Sequence, residues 1–194
     1  MTSSSEESFE TLLAAAQRGA AWACTTIWVS YAPAVSAFLV ARGSREPEDL
    51  TSEVFLTLFE RLDSFTGGER ELRTFVFSLA YRRLVDELRS RSRRGEMVEW
   101  TQESDPRSTP SAEAEAITRL GDARARALLD GLPDQQRDVM VLRIVADLTV
   151  EQVALVLGKR PGAVKALQQR ALANLRKSFP RSRILSGPSD DSGE

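Results

Sequence analysis

The side chains best placed to do chemistry are Lys165, Gln168, Gln169 and Arg170, which fall together in GAVKALQQRAL. Ammonium, carboxamide and guanidinium groups on neighbouring helical turns offer donors and acceptors to base edges and positive charge to phosphates. From Gln152 to Ser189 there is no acidic residue, whereas Lys159, Arg160, Lys165, Arg170, Arg176, Lys177, Arg181 and Arg183 make eight bases. Neutralising a nucleic-acid backbone requires such a stretch. The alternative for this pattern by itself is a solvated basic face on an ordinary helix pair. Two further charge blocks lie earlier. Residues 45–71 hold eight acids and three Arg, a net of −5, and residues 82–94 hold six Arg and two acids, a net of +4. The first suits a basic protein partner and the second a phosphate backbone, although an acidic block also serves helix N-termini and solubility.

Other chemistry is excluded by composition. The 194 residues contain no histidine, which removes the commonest metal ligand and general base. The single cysteine, Cys24, permits no internal disulfide and no cysteine-rich zinc site, and among Trp22, Ile27 and Trp28 it reads as a buried apolar residue. The acids of 45–71 lack convergent partners for catalysis. Neither an enzyme nor a cofactor is expected. The polar, acidic start MTSSSEESFE matches neither a secretory signal nor a transit peptide. No apolar run is expected to approach the roughly 20 residues a membrane helix needs, so the reading is a soluble, cytoplasmic protein without membrane insertion.

These groups must be held by helices. Leu50, Val54, Phe55, Leu58, Phe59 and Leu62 recur at steps of three and four, as do Phe77, Tyr81, Leu84 and Leu88. Gly67-Gly68 marks the break between these two helices, and Pro33 is expected to kink or interrupt an earlier one. Thr149 with Gln152 forms a capping box, Gly158 supplies a turn with positive φ, and Pro161 suits a first helical position. Val164, Leu167, Ala171 and Leu175 then form a second buried stripe, so 149–177 is predicted to be a helix-turn-helix. With no strand alternation the fold class is all-α. Twelve of the 13 aromatics lie in residues 1–100, which predicts two domains with different cores. The boundary falls in 95–116, where two prolines and six acids stand against the single base Arg107. The layout is therefore a domain at 1–94, an acidic flexible linker at 95–116, a second domain at 117–179 and a disordered tail at 180–194.

As a set, these residues resemble a known family. YAPAVSAFLVARG, EPEDLTSEVFLTLFERLDSF and LRTFVFSLAYRRLVDELRSRSRR are similar to sigma region 2 of the extracytoplasmic-function (ECF) RNA polymerase sigma factors. LLDGLPDQQRDVMVLRIVADLTVEQVALVLGKRPGAVKALQQRALANLR is similar to their region 4, in a variant resembling actinobacterial members. The resemblance implies a transcription initiation factor of the sigma-70 family. Such a factor binds core RNA polymerase at the β′ clamp helices and the β flap, recognises the −35 and −10 elements of promoter DNA and promotes melting. It also implies an anti-sigma partner and a linker that threads the polymerase cleft.

Roles follow by position. Asp49, Leu50, Glu53 and Phe55 match the polymerase-docking helix. Phe65 and the loop to Glu71, with Arg70 and Arg73, match the pocket for a flipped base of the downstream element. Tyr81, Arg82, Arg83 and Arg89 match the helix that holds the opening duplex. Arg160, Gly162, Lys165, Gln168, Gln169 and Arg170 match the reader of the upstream element. Ser52 stands where the family often has Gln, Arg82 where it usually has Asn, and Arg83 replaces a usually apolar residue. Phe75, Phe77 and Tyr81 are also compatible with plain core packing. A rival reading is an ordinary regulator, with a helical sensor before the helix-turn-helix, which would dimerise and bind an operator without polymerase.

Overall fold

The computed structural model of the chain describes residues 3–93 and 127–178. Its helices are α1 (Ser3–Gln17), α2 (Ala21–Ala41), α3 (Pro47–Arg61), a single 3-10 turn (Leu62–Ser64), α4 (Glu69–Arg93), α5 (Asp134–Ile144), α6 (Val150–Leu157) and α7 (Pro161–Ser178). Among the described residues there is no strand, in agreement with the all-α reading. The stretches read as linker, 95–116, and tail, 180–194, lie outside the described residues.

In the first half α2, α3 and α4 pack on one another and α1 lies against α2. Pro47 opens α3, with Glu48 and Asp49 in its first turn, where a missing donor costs nothing and negative charge complements the helix dipole. Its apolar stripe buries Leu50, Val54, Phe55 and Leu58. Phe38, Phe55 and Phe77 are fully buried, with the Phe38 and Phe77 rings edge-on at 6.0 Å. Truncating any of the three to Ala is worth about 3–5 kcal/mol. Cys24 is half-buried and packs against this core.

Two expectations about α2 are corrected together. The helix does not break at Pro33 but runs unbroken for 21 residues, and it is long and apolar enough to cross a membrane. Proline leaves the carbonyl one turn back without a donor. Here Val29 and Pro33 both lie on the exposed side of α2, where water can satisfy that carbonyl. The other side buries Ala23, Ile27, Tyr31, Ala32, Val35, Phe38 and Leu39, so α2 is the central core helix of this half.

The two halves are also packed against each other, which the sequence did not suggest. The second half is built of aliphatic residues, as the placement of the aromatics implies. However, Val139, Val141, Leu142, Ala146, Leu148 and Val153 join the first half's buried residues in one continuous cluster. The junction is the packing of α6 on α4.

Candidate polymerase and nucleic-acid interfaces

The helix-turn-helix is built by local interactions. Thr149 Oγ1 accepts from the Gln152 amide at 3.2 Å, and Gln152 Oε1 accepts from the Thr149 amide at 2.8 Å, closing the capping box at the start of α6. Gly158 ends α6 in the left-handed region (φ 62°, ψ 35°), and the Lys159 amide donates back to the Ala154 carbonyl at 2.8 Å. Pro161 then starts α7, whose Val164, Leu167 and Ala171 are buried. Asn174 fastens the far end of α7 to α5 by donating to Gln136 Oε1 at 2.9 Å. Gly162, Lys165, Gln169 and Arg170 are exposed, as is Arg160 just before the helix. Gln168, expected on the same face, is half-buried instead. Arg176 and the partly exposed Leu172 extend the outward stripe, as their spacing from Lys165 and Gln169 implies.

The acidic face of α3 differs from its sequence reading. Asp49 and Glu53 are exposed, but Leu50 and Phe55 belong to the core, so they support the face and do not form it. Leu56, 64% exposed and one turn from Ser52 and Glu60, completes it as its apolar centre. Its place between two buried-stripe residues, Phe55 and Leu58, concealed it in the sequence. Arg83 of α4 reaches this face, 3.6 Å from Glu53 and donating to Thr57 Oγ1 at 3.0 Å. The acidic face of α3 and the arginine-rich side of α4 thus meet at one edge. Arg82 and Arg89 are exposed elsewhere on α4.

Between α3 and α4, the Phe65 ring stacks on Phe75 with centroids 5.8 Å apart. Gly67 has φ 146°, and a Cβ there would lie 2.8 Å from Glu71 Cβ, so only glycine fits this turn. The Gly68 amide donates to Glu71 Oε2 at 2.9 Å. Residues 66–71 are all exposed.

The remaining face of α4 meets the second half. Tyr81 Oη donates to Asp138 Oδ2 at 3.3 Å, and Asp138 Oδ1 accepts from Arg42 Nε at 2.6 Å. Arg42 and Asp138 are each 6% exposed, a buried ion pair 96 residues apart in the chain. Burial pushes Asp138 above the ordinary carboxylate range, although Arg42 and the Tyr81 hydroxyl pull it down. Burial, then the Asp138 charge, pushes Tyr81 up to about 12. Tyr31 is likewise raised to about 12, by burial and then by Glu69, with Arg73 over its ring at 5.3 Å. Arg73 also donates to the Ala146 carbonyl at 3.4 Å. Gln152, besides capping α6, donates to the Arg70 carbonyl and to Thr74 Oγ1, each at 3.0 Å. Arg42 and Gln152 gave no interdomain signal in the sequence. Asp138 did, as an acid on the apolar stripe of α5 one turn before Leu142.

A helix-turn-helix with no acid between Gln152 and Ser178, together with a helical unit that carries an acidic face and an arginine-rich helix, defines a DNA-binding factor with two functional units. Residues 27–94 match the family model for Sigma-70 region 2, and residues 128–177 match that for Sigma-70, region 4. The chain is 35% identical over 132 residues to the ECF RNA polymerase sigma factor ShbA of Streptomyces griseus, covering 66% of this chain and 69% of that one. It is 32% identical over 174 residues to the ECF RNA polymerase sigma factor BldN of Streptomyces coelicolor, covering 87% of this chain and 65% of the relative's own length. The sigma factor RpoE in complex with the anti-sigma factor NepR from Bartonella quintana shares the fold. The TM-score is 0.62 at 21% identity, over 79% of this chain and 94% of that one. The chain belongs to the ECF RNA polymerase sigma factors, a family of transcription initiation factors.

Proposed function

We propose that this chain is a promoter-specificity subunit that acts in the cytoplasm, binding core RNA polymerase, reading two promoter elements and opening the downstream one. The observation that carries the reading is the pairing, in one chain, of the exposed Lys165, Gln169 and Arg170 face with the α3–α4 unit. The exposed side of α3, with Asp49, Glu53 and Leu56, docks on the polymerase β′ clamp helices, and the second half reaches the β flap. Phe65 and its loop take an unstacked base. Arg70, Arg73, Tyr81, Arg82, Arg83 and Arg89 hold the opening strands, and α7 enters the upstream major groove. The units are 1–94 and 117–179, joined by 95–116 and followed by the tail 180–194. An anti-sigma protein is the proposed inhibitory partner, a reading supported by the complex in which the Bartonella factor is found.

Arg73, Tyr81 and the Arg70 carbonyl are engaged by α5, α6 and the loop between them. In this reading they become available to DNA only when the second half withdraws from α4. Permanganate and nuclease footprinting of reconstituted holoenzyme tests the proposal. Protection of two separated elements, with reactive thymines in the downstream one, is expected only with core enzyme present. Tight operator binding by the isolated dimeric chain would establish the rival regulator.

A further inference from the structure

Gln17 is the last residue of α1, and its carboxamide nitrogen donates to two carbonyls at once: Leu62 at 3.0 Å and Phe65 at 2.8 Å. A glutamine amide has two N–H donors, and this arrangement uses both. The two acceptors bracket the 3-10 turn Leu62–Ser64, so one side chain sets the position from which the Phe65–Glu71 loop departs. Among the described residues, the Phe65–Phe75 stack and the Glu71 carboxylate on the Gly68 amide also restrain the loop, and these come from α4. Gln17 comes from 45 and 48 residues earlier in the chain, before the segment that matches region 2.

Residues 66–71 are exposed, so little packing beneath them fixes their course. Reading a base edge requires donors and acceptors held within about 0.5 Å of their working positions. We propose that Gln17 is a positioning residue for recognition of the downstream promoter element. It touches no DNA and sets where Phe65 and the following loop meet an unstacked base. The inference rests on the reading of Phe65–Glu71 as the base-capturing loop. It also accounts for the residue type. Two facing carbonyls need a donor of this length, which glutamate lacks and which lysine supplies.

The test uses holoenzyme assembled from core RNA polymerase and the full chain, as wild type, Gln17→Met, Gln17→Lys and Phe65→Ala. The probe is a double-stranded DNA pool randomised across both promoter elements. DNA retained in heparin-resistant complexes is sequenced, and the enrichment of the preferred base over the others is read at each position. Gln17→Met is expected to lower that ratio about fivefold to tenfold at one or two downstream positions, the order set by two lost hydrogen bonds. Upstream ratios and affinity for core enzyme stay unchanged, and Gln17→Lys retains the wild-type downstream ratios. If Gln17→Met loses helicity, Gln17→Glu carries the same expectation. Unchanged downstream ratios in the donor-free variant, or an equal fall at both elements, would overturn the proposal. If Phe65→Ala lowers downstream preference while Gln17→Met does not, Gln17 alone is misassigned. If Phe65→Ala is silent, the base-capture reading fails and the proposal falls with it.

Discussion

Replacing Arg42 by Met tests the buried ion pair among the contacts that join the two halves. The substitution keeps much of the buried stem and removes the charge. The 6% exposed Asp138 carboxylate is left with the Tyr81 hydroxyl, 3.3 Å away, as its one side-chain hydrogen-bond partner among the described residues, and with the negative charge of Asp134 acting on it. Breaking a buried pair by removing one partner costs about 3–5 kcal/mol, because the remaining charge stays desolvated. Docking of the second half on α4 should therefore weaken by that amount at neutral pH. The pH dependence follows from Asp138. Its carboxyl is already raised in the folded chain, and loss of Arg42 removes the largest influence that lowers it. An acid with a raised folded pKa adds stability below its unfolded pKa, and that stability is lost as pH rises through the folded value. Arg42→Met should thus regain part of its docking energy on acidification from about pH 7 to about pH 5, and regain more than wild type does. The double variant Arg42→Met, Asp138→Leu removes both charges and should recover most of the loss. A donor–acceptor dye pair on α1 and α7, introduced after Cys24→Ala, reports docking separately from domain unfolding along a urea titration. A single variant within about 0.5 kcal/mol of wild type at neutral pH would refute the reasoning, since substitutions away from buried charges have effects of that size. So would a double variant no better docked than the single one.

Asp49→Lys should weaken association with core polymerase by roughly 1–2 kcal/mol, read by competition for core enzyme. It is cleaner than reversing Glu53, whose loss also frees Arg83. Gly158→Ala should cost about 1–2 kcal/mol in thermal unfolding, because the strain comes from its φ of 62° and no Cβ contact lies within 4 Å. Gly158→Asn should cost less, since Asn tolerates this region better. Arg160→Ala should weaken all upstream elements alike and reduce the salt slope of holoenzyme binding by about one unit. Substituting Gln169 should instead relax preference at one or two upstream positions by about 1–3 kcal/mol for each lost base contact. Gln168, half-buried, should show a smaller change in preference and some loss of stability.

Features that depend on near neighbours in the chain were legible from the sequence alone. The capping box at Thr149, the left-handed Gly158 and the start of α7 at Pro161 are set within a few residues, by hydrogen bonds and steric limits that any context must respect. The helical class followed from apolar periodicity for the same reason. Other features required the tertiary structure. Pro33 reads as a helix breaker, yet it lies within α2 because its freed carbonyl falls on the solvent side. Phe55 and Leu56 are adjacent apolar residues, and only the packing of α2 and α4 around α3 decides that Phe55 is buried and Leu56 is outside. Arg42 and Gln17 are ordinary polar residues until folding brings them to Asp138 and to the carbonyls of Leu62 and Phe65. Periodicity states which side of a helix is turned inward, but the partner of a long polar side chain is chosen by whichever distant group the fold delivers within about 3 Å.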